Sequence, residues 1–176
     1  GGLDRLDPAT GKFSHYRHDE RNPNSLANDS VEGLYLDDDG SLWIATDGGL
    51  NHFDPKSGRF ILFQHDPNDP GSLSNNAVLK VMRDSRGQLW TSNWGGGVQR
   101  MDPKTGKFIH YRYSPGDPLS VASNLTEYMI EAQDHAFWIP TFNGLVRYDE
   151  ESGRFHSSLQ QTGLTATSGR MLVSGM

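Results

Sequence analysis

Short apolar stretches alternate with turn-forming residues along the chain, and no segment shows the 3.6-residue period of an amphipathic helix. In one representative section the apolar stretches are 78–84, 89–93, 98–102 and 108–113. The turns between them read Asp-x-x-Gly, a run of glycines, and Asp-Pro-Lys-Thr-Gly. Proline presets φ for the first turn position and glycine accepts positive φ, so these turns favour tight reversals. The section therefore predicts four short antiparallel strands.

The same pattern repeats along the chain. A tryptophan returns at intervals of 47 and 48 residues, as Trp43, Trp90 and Trp138. The motif Asp-Pro-x-Ser/Thr-Gly-Lys/Arg-Phe begins at Asp7, Asp54 and Asp102, and a fourth copy at Asp149 has Glu150 in place of proline. A Ser-Leu or Ser-Val pair also returns, at residues 25–26, 72–73 and 120–121. Repeats of this length with four strands each are typical of β-propellers, whose stacked blades bury each other's faces.

These patterns predict an all-β propeller fragment with about three full blades and partial blades at both ends. We expect the last two strands of one blade in 1–17, a possible first strand of another in 169–174, and full blades in 30–64, 77–113 and 126–158. Closed propellers usually have four to eight blades. We therefore expect neighbouring blades of a longer chain, or a second copy of this one, as partners. The recurring tryptophans are interpreted as core residues between blades.

Composition narrows the functional classes. The chain has 176 residues, a formal net charge of −6 and no cysteine. Scattered basic residues on an acidic chain argue against nucleic acid as a partner, and the absence of cysteine excludes disulfides and thiolate metal sites. The histidines lack ligand spacing, and Asp37-Asp38-Asp39-Gly40 is interpreted as a tight turn instead of a calcium loop. We predict no metal, no cofactor and no membrane contact within this segment.

The repeats resemble the two-component regulator propeller repeat. The resemblance is carried by Leu-Trp-Ile-Ala-Thr-x-Gly-Gly-Leu-Asn-x-Phe-Asp-Pro at 42–55, Ser-Leu-Ser-Asn-Asn-x-Val at 72–78, and Asp-x-x-Gly-x-Leu-Trp at 84–90. Ala132 and His135 depart from it by replacing the turn Asp and Gly. The resemblance implies the periplasmic or extracytoplasmic sensor region of a membrane signalling receptor such as a hybrid histidine kinase. It further implies that the ligand is an oligosaccharide and that this segment has no catalysis of its own.

The loop between the second and third strands of each blade varies while its surroundings stay constant. Its tip is Asp47, then Trp94 with an extra glycine, then Phe142. In propellers this loop shares a face with the loop that connects consecutive blades, near the mouth of the central channel. We predict ligand binding there, where Trp94 offers a flat apolar surface to a sugar ring. The alternative for Trp94 is an aromatic side chain folded onto its own blade or onto a neighbouring propeller. The predicted ligand-binding residues are Asp47, Asn76, Asn93, Trp94, Asn124, Phe142 and Asn143.

The asparagines of the connecting loops leave two interpretations open. Asn28, Asn75 and Asn124 either hydrogen-bond ligand hydroxyls or close Asx turns, and the turn interpretation is the favoured one.

Two other functions remain as alternatives to a sensor. Glu32 and Glu127 occupy equivalent positions at the start of the innermost strand, with Leu79 between them. Paired carboxylates are the minimum requirement for glycoside hydrolysis, so a propeller hydrolase or lyase is one alternative. A scaffold that binds a protein partner is the other.

Overall fold

The computed structural model describes residues 1–157, which form four antiparallel sheets and no helix. Accordingly, nothing in that range is a helix long and apolar enough to cross a membrane. The possible strand at 169–174 lies outside the described residues. The first sheet has two strands, β1 (Leu3–Asp7) and β2 (Lys12–Tyr16). We call it the partial blade.

Three four-stranded sheets follow, and in each the strands pair in chain order. The first blade contains β3 (Val31–Leu36), β4 (Leu42–Thr46), β5 (Gly49–Asp54) and β6 (Arg59–Phe63). The second blade contains β7 (Val78–Arg83), β8 (Leu89–Asn93), β9 (Gly97–Met101) and β10 (Phe108–Tyr111). The third blade contains β11 (Ile130–Glu131), β12 (Phe137–Thr141), β13 (Gly144–Asp149) and β14 (Arg154–Ser157).

Antiparallel order gives every blade two ends. The loop between the second and third strands and the loop connecting consecutive blades lie at one end, which we call the loop face. The turns between the first and second strands and between the third and fourth strands lie at the other end, which we call the turn face.

The repeated Asp-Pro motif builds the last turn of each blade. The motif's glycine donates its N–H to the Asp carbonyl, at 2.8 Å for Gly58 to Asp54. The Asp carboxylate accepts the backbone N–H two residues on and the hydroxyl three residues on, at 2.8 Å from Lys56 and 2.6 Å from Ser57. The glycine has φ near 70°, which favours glycine over other residues. Hydrogen bonds to the charged form, that of the Ser57 hydroxyl foremost, hold the pKa of Asp54 below its usual value.

The Ser-Leu pairs organise the connecting loops. In the loop before the second blade, the Ser72 hydroxyl accepts the Asp66 N–H at 2.8 Å and donates to the Asp66 carbonyl at 3.0 Å. Its neighbour Leu73 is fully buried between the first and second blades. Ser25-Leu26 and Ser120-Val121 repeat this arrangement. The serine therefore stabilises the loop through hydrogen bonds, while the apolar residue anchors the loop in the core.

The hydrophobic core lies between blades, and the repeated tryptophans contribute to it. Trp43 is 3% exposed between the first and second blades, and Trp90 is 0% exposed between the second and third. Trp138 is only half-buried, because the described residues contain no blade beyond the third to cover it. Leu34 and Leu36, on the innermost strand of the first blade, are exposed for a similar reason. The partial blade before them has only two strands and does not cover them.

Polar contacts join the blades at the turn face. In the second and third blades, the last residue of the innermost strand contacts the preceding blade. Arg83 donates to both carboxylate oxygens of Asp37, at 2.6–2.9 Å, and Asp37 also accepts the Trp43 indole N–H at 3.1 Å. The equivalent Glu131 instead accepts the N–H and the hydroxyl of Ser85, at 2.6 and 2.5 Å.

The two departures from the repeat motifs occur in the third blade. Ala132 and His135 form the usual turn through backbone hydrogen bonds, with His135 at a φ of 62° where the other blades have glycine. Glu150, which replaces the motif proline, hydrogen-bonds Gln88 at 2.8 Å and also pairs with Arg86 of the second blade. The changed residue thus provides an inter-blade contact that proline lacks.

Candidate functional site

The two aromatic tips meet on the loop face. Trp94 of the second blade and Phe142 of the third contact each other edge to face, with ring centroids 5.7 Å apart and an interplanar angle of 87°. Trp94 is 46% exposed and Phe142 is 59% exposed. Two perpendicular rings open to solvent form a corner, which we call the aromatic corner. It presents an apolar face and an apolar edge to whatever binds there.

Backbone contacts hold the aromatic corner across the boundary between two blades. Leu125, in the loop that leads into the third blade, forms a β-bridge with Trp94. Its carbonyl also accepts the N–H of Phe142 at 3.2 Å. One backbone residue therefore fixes both aromatic positions.

The other varying tip stands apart from the aromatic corner. Asp47 occupies the equivalent position in the first blade, where it is exposed and donates its N–H to the Ser30 carbonyl at 3.2 Å. The loop face therefore changes from an acidic tip on the first blade to aromatic tips on the second and third.

Asn93 was predicted to bind ligand, and the structure contradicts this. Its side chain is 0% exposed, and its amide donates to the Asn75 carbonyl at 2.7 Å. Its Oδ1 accepts from Gln99 at 2.6 Å and from Thr91 at 3.1 Å. The side chain lies beneath the loop and supports it, because β8 is an interior strand of its blade and all five of its residues are buried.

The connecting-loop asparagines use their side-chain oxygens within the protein. Asn76 Oδ1 accepts the His65 N–H and Asn124 Oδ1 accepts the Tyr113 N–H, each at 2.7 Å. Asn28 and Asn75 accept N–H groups two residues on, from Ser30 at 2.7 Å and Ala77 at 2.8 Å, which is the Asx-turn geometry. These residues shape the loops.

Asn143 lies beside the aromatic corner. It is exposed, and its amide nitrogen donates to the Ala122 carbonyl at 3.1 Å. Its side-chain oxygen is therefore the polar group of the predicted set best placed to accept a hydrogen bond from a bound molecule.

Glu32 follows Val31, the first residue of β3. Glu127 lies ahead of β11, directly after Thr126, which forms an isolated bridge with Thr141. The pairing of β3 with β4 shifts register between Val31 and Gly33, and Glu32 is the extra residue of this bulge. Leu79 is the extra residue in the second blade. Both glutamates are exposed, and Glu32 accepts a hydrogen bond from the Ser30 hydroxyl at 2.9 Å. The whole second blade lies between them, so they do not form a carboxylate pair on neighbouring strands.

A basic residue also lies near the start of the innermost strands. The Lys80 ammonium lies 5.6 Å from the centroid of the Tyr128 ring on the next blade. Gly33 is the equivalent residue of the first blade, and a Cβ there would meet the Lys80 backbone at 3.5 Å. Residues at this position thus contact one another from blade to blade. Lys80 and Tyr128 were not predicted, although their position varies between the copies as the loop tips do, and that variation is the signal that could have found them.

Two open clefts lie at the third-to-fourth strand turns, and neither contains a predicted site residue. One is lined by His52, Asp54, Ser57, Arg59 and Ile61. The other is lined by Leu119, Asp149, Glu151, Ser152 and His156. Among the described residues there is also no group of three or more His, Asp or Glu arranged to hold a metal ion.

The repeated blades define a β-propeller fragment with a variable loop face. Residues 25–48 match the family model described as two component regulator propeller. The resemblance to this family is confirmed, and so is the prediction of an all-β propeller fragment. Comparison with curated proteins gives no match.

Solved structures extend the likeness beyond the matched repeat. The extracellular domain of a hybrid two component system from B. thetaiotaomicron is 25% identical, with a TM-score of 0.69, over 83% of this chain and 21% of that one. A second such domain from the same organism is 22% identical, with a TM-score of 0.59, over 97% of this chain and 27% of that one. The chain thus spans about a quarter of these domains or less.

An enzyme shares the fold as well. Virginiamycin B lyase from Staphylococcus aureus is 19% identical, with a TM-score of 0.61, over 88% of this chain and 47% of the lyase. At this identity the likeness concerns the fold alone, and fold does not carry function.

Proposed function

We propose that this chain is part of the extracellular ligand-sensing propeller of a membrane-bound two-component signalling receptor. The segment binds a ligand and carries out no chemistry, and the output domain belongs to the longer protein. Support comes from the matched repeat and from the likeness to extracellular domains of hybrid two component systems.

The observation that carries the proposal is the exposed contact between Trp94 and Phe142. Exposed aromatic rings in contact on the loop face are costly to leave in water and gain free energy when an apolar surface covers them. Sugar rings have such a surface on their C–H faces, with hydroxyls at the edge. An oligosaccharide stacked on the aromatic corner would place its hydroxyls beside the Asn143 side-chain oxygen.

The position of the site also provides a route for signalling. A ligand on the aromatic corner touches two blades at once, so its affinity depends on how those blades pack. A ligand that prefers one packing arrangement shifts the population toward it, and that shift is what a sensor transmits.

Binding measurements on the intact extracellular region test the proposal, with a panel of neutral and acidic oligosaccharides as probes. Replacing Trp94 with Ala should weaken binding of the recognised oligosaccharide by about tenfold, equivalent to ~1.4 kcal/mol of stacking. The melting temperature should change little, because the side chain is half exposed. Tyr113→Ala is the control, since Tyr113 is an equally exposed aromatic residue in the loop that follows β10.

Unchanged affinity in Trp94→Ala would place the ligand elsewhere on the propeller. Turnover of an oligosaccharide that Glu32→Gln or Glu127→Gln abolishes would replace the sensor with the enzyme alternative.

A further inference from the structure

The reach of Trp94 to Phe142 depends on a buried network in the second blade. We propose that Asn93 and Gln99 are positioning residues of the aromatic corner, and this inference rests on the proposed function. They hold the second-to-third strand loop in a long form that extends over the next blade, while the loops of the neighbouring blades have a short form.

The short form is built on a threonine. In the first blade the Thr46 hydroxyl donates to the Gly49 carbonyl at 2.8 Å and accepts the Gly48 N–H at 3.1 Å. In the third blade Thr141 makes the same two contacts, with Gly144 at 2.8 Å and Asn143 at 3.2 Å. Each short loop therefore closes on its own first residue.

The long form has an asparagine at that position and one more glycine. The Asn93 amide extends further than a threonine hydroxyl, and it donates to Asn75 in the connecting loop instead of closing its own loop. Gln99 fixes the Asn93 oxygen at 2.6 Å and accepts the Ser74 N–H at 2.7 Å. The first and third blades have Asn51 and Val146 in place of Gln99, so neither repeats the full network.

The second-to-third strand loop of the second blade contacts the third blade. Gly97 donates its N–H to the Asn124 carbonyl at 3.0 Å and accepts the Thr126 hydroxyl at 2.9 Å. These two bonds and the bridge to Leu125 carry Trp94 over the third blade, where it meets Phe142. Gly97 has a φ of 74°, and a Cβ there would overlap the Tyr111 carbonyl. The last glycine of the short loop in the first blade is constrained in the same way, since a Cβ on Gly49 would overlap the Phe63 carbonyl, so Asn93 and the extra glycine are what distinguish the long form.

Replacing Asn93 with Thr gives the second blade the residue of its neighbours and tests the inference. The intact extracellular region is labelled with 5-fluorotryptophan, and the Trp94 resonance is assigned by its loss in Trp94→Phe. Phe142→Ala defines the chemical shift of Trp94 without its ring partner. In Asn93→Thr the Trp94 resonance should move at least halfway to that value, and oligosaccharide affinity should fall by about tenfold, as for loss of the stacking itself.

A second variant keeps the test decisive if Asn93→Thr does not fold. Asn93→Thr with Gly95 deleted recreates the short loop, which two blades already tolerate, and it should fold with Trp94 away from Phe142. Thr46→Asn in the first blade is the control, and it should leave the Trp94 resonance unchanged.

A Trp94 resonance and an affinity that both stay at wild-type values in Asn93→Thr would overturn the inference. The resonance does not depend on a ligand. If no oligosaccharide binds the wild-type protein, the proposed function fails while the positioning role is still judged by the resonance.

Discussion

At the scale of single residues, Asp37 shows how one side chain joins two blades. Its carboxylate accepts three hydrogen bonds from Arg83 and one from the Trp43 indole, and both ion-pair partners are mostly buried. The Arg83 guanidinium holds the pKa of Asp37 below its usual value. The folded state therefore favours the ionised carboxylate.

Asp37→Asn should lower the free energy of unfolding at neutral pH by about 1.5–3 kcal/mol, the usual contribution of a hydrogen bond to a charged group. Because the folded-state pKa is depressed, this stabilisation is complete above the unfolded pKa of about 3.9 and is lost as pH falls through the folded pKa. Urea denaturation of both proteins at pH 7 and at successively lower pH measures the difference, which should shrink below about pH 4.

Asp38→Asn provides the control, since Asp38 is the exposed neighbour in the same turn. A loss in Asp37→Asn that is no larger than in Asp38→Asn, or that is constant with pH, would contradict the role assigned to the ion pair.

At this scale the sequence indicated which residue types belong to the candidate site, but it did not always predict which of their side chains are exposed. Trp94 and Phe142 were recognised because they vary within a constant frame, and both are exposed. Asn93 has the same polar character as a ligand-binding residue, but it ends β8, whose residues are all buried. The inter-blade partners of Arg83 and Glu150 were not predictable, since each contact joins residues far apart in the chain.

At the scale of elements, the connecting loops are anchored by one apolar residue each. Leu73 is 0% exposed although it lies in a loop rich in polar residues. Leu73→Ala should lower the free energy of unfolding by about 2–5 kcal/mol, because a cavity forms where the loop enters the core. Chemical denaturation measures this loss, and Leu62→Ala is the matched control on the outer strand, where Leu62 is 39% exposed. Equal losses in the two variants would show that Leu73 does not anchor the loop.

The turns between strands have local causes that the sequence displays. The Asp-Pro motif, for example, forms its turn from contacts within five residues. The extra glycine at 95–97 was visible in the sequence, but its effect was not. That effect depends on hydrogen bonds to the following blade, which a motif comparison does not reveal.

At the scale of the whole molecule, stability depends on which blade faces are covered. Trp90→Ala should lower the free energy of unfolding by about 3–5 kcal/mol, since Trp90 is fully buried between two blades. Trp138→Ala in the 176-residue chain should cost less, because Trp138 is only half-buried. Denaturation of both variants measures the difference, and an equal loss would mean that the Trp138 face is covered in solution.

The contacts at the turn face have a consequence for how such chains change over evolutionary time. Arg83 needs a carboxylate on the blade before it, whereas Glu131 needs a hydroxyl and a free N–H there. Exchanging the second and third blades would set Glu131 against Asp38, the counterpart of Ser85 in the first blade, and so place two acids together. These polar contacts therefore oppose such an exchange. The second and third blades are thus each matched to the blade before them, and repeated blades whose contacts have diverged in this way can no longer change places without losing those contacts.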